Sequence, residues 1–343
     1  MSPGRLFPFD PCVPFMMPAV QQLSQLLVWA QDPQILPSAM TAQKRALELL
    51  ADNGKILGGL LAAIAALVAV LYTTRTGVIA RAAAKEAIRQ PVFPLLLVVS
   101  LVMLVFNTFI PFFSLGEDVK MMEVCGLAML LICGMFLAIW TSSMSIADEI
   151  EGKTAMTMLS KPVNRRQFIL GKFLGIQTAV LLMALPIVLA FAGLTIYKVF
   201  YDARESTRDD VTIENAVIEV LRLMPAVVLV LLEIMIMSAI SVALSTRVPM
   251  VVNLVTCLAI FVVGHLTETL VVSNLGKLEL VGFMAKLVAM ILPAVGMFNV
   301  EAKLMTDGAV PPLYVGWAAV YAGAYIMAAI LLAFWMFEDR DLA

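Results

Sequence analysis

Long apolar runs recur along this chain, and they restrict its fold more than any other feature of the sequence. The hydrocarbon core of a bilayer is roughly 30 Å thick and needs about 20 apolar residues per helix. Within it, a helix satisfies its backbone hydrogen bonds internally. With 62% hydrophobic and only 14% charged residues, the chain is more apolar than a water-soluble domain. The sequence therefore predicts an all-α polytopic membrane protein.

The apolar runs also predict the domain organisation. In order, the predicted membrane helices occupy about residues 56–74, 92–113, 121–146, 173–199, 223–245, 250–272 and 315–337. The last six form a core that we place in residues 75–343, and 56–74 is an additional N-terminal transmembrane helix. Residues 1–55 precede it as an extension, in which 20–29 and 41–50 have the apolar spacing of short interfacial helices. A loosely ordered tail is the alternative for this extension.

Basic residues predict the orientation of these helices. Lys and Arg are densest in 75–89 and 153–172, which places both stretches on the cytoplasmic side. The C-terminus then lies inside and the N-terminus outside. If helix 56–74 instead lies in the interface, the other helices are unchanged and both ends lie inside. Its small residues Gly58, Ala62 and Ala66 share one face and predict close packing on the rest of the protein.

Several classes of function are excluded by what the sequence contains. A net charge of −2 provides no basic face for nucleic acid. The four cysteines lie far apart and form no disulfide or metal-binding pattern, and the single histidine rules out a His-Glu-x-x-His metalloprotease site. No Gly-x4-Gly-Lys-Ser/Thr phosphate loop occurs, so the sequence lacks this ATP-binding motif. The chain is predicted to be non-catalytic, with neither a metal nor a cofactor of its own.

The longest polar interruption, residues 148–172, has a shape of its own. A short helix is predicted over 154–160, and Pro162 stops it because the residue before a proline avoids the helical region. Asn164 is suited to cap the next helix, with Gln167 three residues later as in a capping box. The sequence thus predicts a helix, a corner and a second helix that leads into the apolar run 173–199.

This interruption resembles a motif of the permease subunits of ABC-2 type ATP-binding cassette transporters. The family pattern is an acidic pair and Gly-x-Thr, a short apolar helix, Lys-Pro, a basic pair and Gly-Lys. Its counterparts here are Glu149, Glu151, Gly152, Thr154, Met158, Leu159, Ser160, Lys161, Pro162, Arg165, Arg166, Gly171 and Lys172. The resemblance extends over roughly 78–343. The stretches EAIRQPVF and LPAVGMFN are similar to nitrous-oxide reductase maturation permeases.

The resemblance implies a six-helix permease, acting as an exporter in the bacterial inner membrane. Such a chain pairs with a second permease chain, identical or different, and with cytoplasmic ATPase subunits that carry ATP and Mg. Helix 154–160 would be the coupling helix that docks on the ATPase, with 78–90 as the connecting helix beside it. All the motif residues above except Ser160 and Gly171 are the implied ATPase-coupling residues. The basic residues Arg165, Arg166 and Lys172 also lie where anionic lipid headgroups or an acidic partner would meet them.

Polar residues inside the apolar runs are further candidates. A charge such as Glu233 near the midplane costs roughly 2.5–3.5 kcal/mol, so Glu233 should face protein or water. It either lines a pathway or dimer interface or is a protonated, locally hydrogen-bonded side chain. His265 and Glu268, three residues apart, are either metal ligands or a polar pair at headgroup level. Asn107 is predicted to be structural.

Two other functional classes remain as alternatives. An ATPase-independent secondary transporter should show duplicated halves with helices broken at matching positions, and no such duplication is visible. A membrane anchor or sensor that has lost transport would keep the ATPase-docking corner. Co-purification of an ATPase subunit separates the first alternative from the permease.

Overall fold

The computed structural model describes residues 42–109, 118–147, 164–205, 213–272, 292–305 and 310–338, and these ranges contain helices but no strand. The helices are α1 (Ala42–Thr73), α2 (Arg75–Arg89), α3 (Val92–Phe109), α4 (Asp118–Ser142), α5 (Arg165–Glu205), α6 (Ile213–Ser245), α7 (Met250–Val272), α8 (Glu301–Met305) and α9 (Pro312–Glu338). A π-helical turn, Ser143–Ala147, continues α4, and a 3-10 turn, Val295–Phe298, precedes α8.

Most of these helices are long and apolar enough to cross a membrane. Six stretches meet that condition within the described ranges: Ala51–Thr73, Val92–Phe109, Asp118–Ile146, Arg165–Asp202, Ala216–Ser245 and Pro312–Phe337. A shorter apolar stretch, Met250–Leu266, lies within the 23 residues of α7. The prediction of an all-α polytopic membrane protein is confirmed, and the chain is an integral membrane protein.

Basic residues gather at one end of the bundle, which we call the basic end. Here the Arg165 guanidinium carbon at the start of α5 lies 5.9 Å from the Phe337 ring at the end of α9. In the turn between α6 and α7, Arg247 Nε donates to Met336 O at 2.8 Å. The basic end therefore joins the start of α5, the α6–α7 turn and the end of α9.

The opposite end is held by polar contacts of another kind. Asn107 Nδ2, near the end of α3, donates to Met122 O in α4 at 3.2 Å, which is the structural role predicted for this side chain. Lys198 Nζ in α5 lies 3.8 Å from Asp118 Oδ2 at the start of α4. These contacts connect the end of α3, the start of α4 and the second half of α5.

Helix α1 is a single long helix that packs differently from the prediction. Residues 42–50 are continuous with the rest of α1, so the stretch predicted as a short helix over 41–50 is helical but is part of a longer helix. Asn53 Nδ2 donates to Leu221 O of α6 at 2.8 Å. Its buried face carries Asn53, Ile56 and Leu71. At 100° per residue, Gly58, Ala62 and Ala66 lie on the other side of the helix, and all three are exposed.

The exposure of that small-residue face means that the predicted packing through it does not occur within the described part of the chain. Helix α1 instead contacts α2, α6 and α9. The predictions for residues 1–41 and for the short helix 154–160 lie outside the described residues.

The centre of the bundle is formed by α4, α5 and α6. A Cβ built on Gly134 of α4 would lie 2.6 Å from Ile234 Cδ1 of α6, so a larger residue would displace that contact. Gln177 of α5 donates to the Ser238 hydroxyl of α6 inside this core. The helices α3, α7 and α9 lie farther out and expose many apolar side chains, as expected where lipid replaces water around them.

Candidate functional site

The helix that follows the predicted coupling helix 154–160 starts where the sequence indicates. Asn164 immediately precedes α5, and its backbone N–H donates to Gln167 Oε1 at 3.4 Å, which is one half of a capping box. Phe168 N donates to Asn164 O at 3.1 Å. The buried Phe168 ring stacks on the Phe337 ring of α9 with 6.0 Å between centroids. The first turn of α5 is therefore fixed both to its own cap and to α9.

Helix α2 lies against the first turns of α5 at very short range. It buries a face of small residues: Gly77, Ala80, Ala83, Ala84 and Ala87. A Cβ on Gly171 would lie 2.7 Å from Ile79 Cβ, and a Cβ on Gly175 would lie 2.6 Å from Ala83 Cβ. Contacts this short are accessible only because glycine has no side chain. The sequence motif Gly171-Lys172 therefore has a packing function in addition to its place in the family pattern.

Lys172 is buried between α2 and α5. Its side chain is only 4% exposed, and Nζ lies 3.4 Å from Glu86 Oε2 of α2. Nζ also lies 5.7 Å from the centroid of the Phe168 ring, within the range of a cation–π interaction. Lys172 thus contributes to holding α2 on α5 from inside the subunit.

The other predicted coupling residues divide into two groups. Arg165 and Arg166 are exposed on the first turn of α5. Eight fall outside the described residues: Glu149, Glu151, Gly152, Thr154, Met158, Leu159, Lys161 and Pro162. The structure therefore describes Ala147 and Asn164, on either side of residues 148–163, but not the predicted coupling helix within that stretch.

A buried polar cluster adjoins the other end of this region, and the sequence analysis missed it. Asn253 of α7 directs its side-chain amide at three hydroxyls. Its Nδ2 lies 2.7 Å from Ser143 Oγ, 2.9 Å from Ser241 Oγ and 2.8 Å from Ser245 Oγ. An amide NH2 has two hydrogens, so the three hydroxyls share them as acceptors. The Ser143 and Ser245 hydroxyls themselves donate to Ile139 O and Ser241 O. The cluster connects the π-helical turn to both α6 and α7.

The cluster lies next to the start of the polar stretch 148–172, which relates it to the predicted coupling site. The π-helical turn Ser143–Ala147 is the last described part of the chain before residue 148, and π turns inside helices are frequent at functional sites. Ser142 and Ser245 hydroxyls also lie 3.1 Å apart across the α4–α6 contact. The signal that sequence reasoning could have used is the series Ser142, Ser143 and Ser145 together with Asn253, all within apolar runs.

Inside the bundle the structure brings together Glu233 and His265, which the sequence analysis treated separately. The Glu233 side chain is 2% exposed, and its Oε1 lies 3.7 Å from Nε2 of His265, which is 28% exposed. His265 Nδ1 is 3.3 Å from Phe261 O. The side chain of Glu268, the other predicted partner of His265, lies outside the described part.

These polar groups do not form a metal site in the part of the chain that the structure describes. No set of three or more His, Cys, Asp or Glu side chains in those ranges is arranged to hold a metal ion. Glu233 and His265 lie 3.7 Å apart, close enough for a charge interaction when the histidine is protonated.

Comparison with known protein families adds one finding. The family described as ABC-2 family transporter protein matches residues 112–342, which include the coupling region and the helices from α4 to α9. A search among curated proteins finds no match. Residues before 112, including α1 and α2, lie outside the matched range.

Proposed function

The chain belongs to the ABC-2 family of transporter proteins, and from this membership we propose that it couples a separate ATPase to export through the corner formed by residues 148–172. Membership makes the chain a non-catalytic membrane subunit of an ABC transporter, which associates with an ATPase subunit. The proposal concerns how the two are connected. It places the ATPase contact on the predicted coupling helix 154–160, with Glu149 and Glu151 stabilising the corner before it.

One observation carries this proposal: both ends of residues 148–163 emerge from elements that are fixed in the bundle. On one side, the π-helical turn is hydrogen-bonded to α6 and α7 through Asn253. On the other side, the first turns of α5 pack against α2, where Gly171 and Gly175 make close contacts and Lys172 is buried. A displacement of the segment by a partner would therefore act on α4 and α5 together. Such rigid connections are what transmit a movement between two sites.

The remaining assignments follow from family resemblance and are part of the proposal. A second permease chain, identical or different, completes the pathway, and ATP and Mg are bound on the ATPase subunits. We place the complex in the bacterial inner membrane with the basic end and the C-terminus in the cytoplasm, in agreement with the positive-inside rule. The burial of Glu233 within one subunit favours a role inside the permease over direct contact with the second chain.

Co-purification of the ATPase subunit with the full chain tests the coupling proposal. We expect the double substitution Glu149→Ala and Glu151→Ala to reduce the amount of ATPase recovered from native membranes. Glu219→Ala serves as a control because Glu219 pairs with Arg222 in α6, far along the chain from the coupling region. Full recovery of the ATPase with the double variant would contradict the proposal. Recovery of no ATPase with the unmodified chain would favour a transporter that works without it.

A further inference from the structure

A cavity of about 390 Å³ opens at the basic end between the first turn of α5 and the last turns of α9. Its polar rim is formed by Asn164, Arg165 and Arg166, and its apolar wall by Ile169, Phe334 and Phe337. Two guanidinium groups beside an aromatic wall provide one charged and one apolar surface within a single cavity. That combination suits an anion with a hydrocarbon part rather than a small inorganic ion.

Two features of α9 indicate that the cavity lies near the level of the lipid headgroups. Phe337 is the last apolar residue of α9 before the charged sequence Glu338 and Asp339. Trp335, two residues earlier, is 64% exposed, and exposed tryptophan is enriched at the boundary between hydrocarbon and headgroups. The 5.9 Å separation between the Arg165 guanidinium carbon and the Phe337 ring places Arg165 at this same boundary.

The charge around the cavity favours an anion with phosphate oxygens. Arg165 and Arg166 are consecutive and exposed, and Arg247 joins them at the same end through its bond to Met336 O. A guanidinium group binds phosphate through paired hydrogen bonds, which a lysine cannot reproduce. Clusters of basic residues next to transmembrane helices are attracted to anionic lipids.

From these observations we propose that the cavity binds the headgroup phosphate of an anionic phospholipid. Arg166 and Arg165 bind the phosphate oxygens, and the upper part of an acyl chain lies along Phe334 and the exposed apolar face of α9. This inference goes beyond the proposed function. It assigns Arg165 and Arg166 to lipid binding instead of ATPase coupling. The ATPase contact is then made by residues 148–163.

The test measures binding of phosphatidylglycerol to the purified full chain in detergent by native mass spectrometry, with phosphatidylcholine as the reference lipid. Arg165→Gln with Arg166→Gln should weaken phosphatidylglycerol binding on the order of tenfold, given the usual attraction of each basic residue to anionic lipid. Phosphatidylcholine binding should not change. The matched control is Arg81→Gln with Arg89→Gln, which removes the same charge from α2. It should retain phosphatidylglycerol binding.

A single variant and a competition experiment distinguish phospholipid binding from misfolding and from binding of phosphate alone. The single variant Arg166→Gln, at an exposed position, should show a partial loss and provides a readout if the double variant folds poorly. Inorganic phosphate at millimolar concentration should compete only weakly, because it lacks the hydrocarbon part. Equal losses in both double variants, or full competition by inorganic phosphate, would overturn the proposal. Unchanged phosphatidylglycerol binding by Arg165→Gln with Arg166→Gln would also overturn it. If that variant in addition no longer recovers the ATPase, the two arginines contribute to ATPase coupling, and the coupling proposal stands.

Discussion

Gly175 of α5 and Ala83 of α2 approach so closely that a Cβ on Gly175 would lie 2.6 Å from the Ala83 Cβ and 2.7 Å from the Ala80 carbonyl oxygen. One of these two contacts is with backbone, which cannot move aside as a flexible side chain can. The close approach places α2 directly beside the start of α5, where the coupling region ends. The packing of these two helices is therefore sensitive to a single methyl group.

We expect Gly175→Ala to destabilise the chain by about 1–3 kcal/mol, because an added methyl group in a tightly packed contact forces the backbones apart. Gly193→Ala is the matched control. It lies on the same helix, but a Cβ added at Gly193 would meet nothing within 4 Å, so the change should be neutral or slightly stabilising. The free energy of unfolding in mixed micelles, titrated with a denaturing detergent, measures both. Equal effects of the two substitutions would show that helix propensity, rather than the α2–α5 contact, decides the outcome.

The polar cluster at Asn253 provides a second prediction. Asn253→Ala removes the amide shared by Ser143, Ser241 and Ser245, so buried hydroxyls lose a partner at a cost of about 1–3 kcal/mol. The cluster joins the π-helical turn to α6 and α7. If the proposed coupling runs through this turn, Asn253→Ala should also allow the partner ATPase to hydrolyse ATP without transport.

Ser100→Ala is the control for the Asn253 substitution. Ser100 is fully buried in α3, and its hydroxyl donates to Leu97 O within its own helix. Its removal should change the unfolding free energy less than Asn253→Ala does, by about 0.5–1.5 kcal/mol at most. If both variants unfold alike and hydrolysis stays coupled to transport, the cluster has no role beyond helix packing.

The parts of the fold that depend on local chemistry were predictable from the sequence. Apolar run length specifies the membrane helices, and the cap formed by Asn164 and Gln167 marks the start of α5. The face through which α1 packs was not predictable in this way. Small residues such as Gly58 permit close packing but do not require it, whereas the buried face is decided by the neighbours α6 and α9.

The candidate site was predictable only in part, for a related reason. The coupling motif is contiguous in the chain, so its order could be read directly. Contacts between distant positions, such as Asn253 with Ser143 or His265 with Glu233, depend on how α4, α6 and α7 are arranged. No spacing rule along one helix connects these residues. Lys172 was also ambiguous, because a lysine at a membrane entry is equally compatible with a headgroup contact and with the buried position it occupies.

The Glu233–His265 pair yields the last prediction, which a double-mutant cycle tests. Because the pair lies largely inside the bundle, where charges interact more strongly than in water, Glu233→Gln and His265→Gln should show a coupling energy of about 0.5–3 kcal/mol in unfolding. The more exposed pair Glu219 and Arg222, 3.0 Å apart, should give only about 0.2–0.5 kcal/mol in the same cycle. Additive effects of the two buried substitutions would mean that the 3.7 Å separation carries no interaction and that Glu233 is stabilised by other groups.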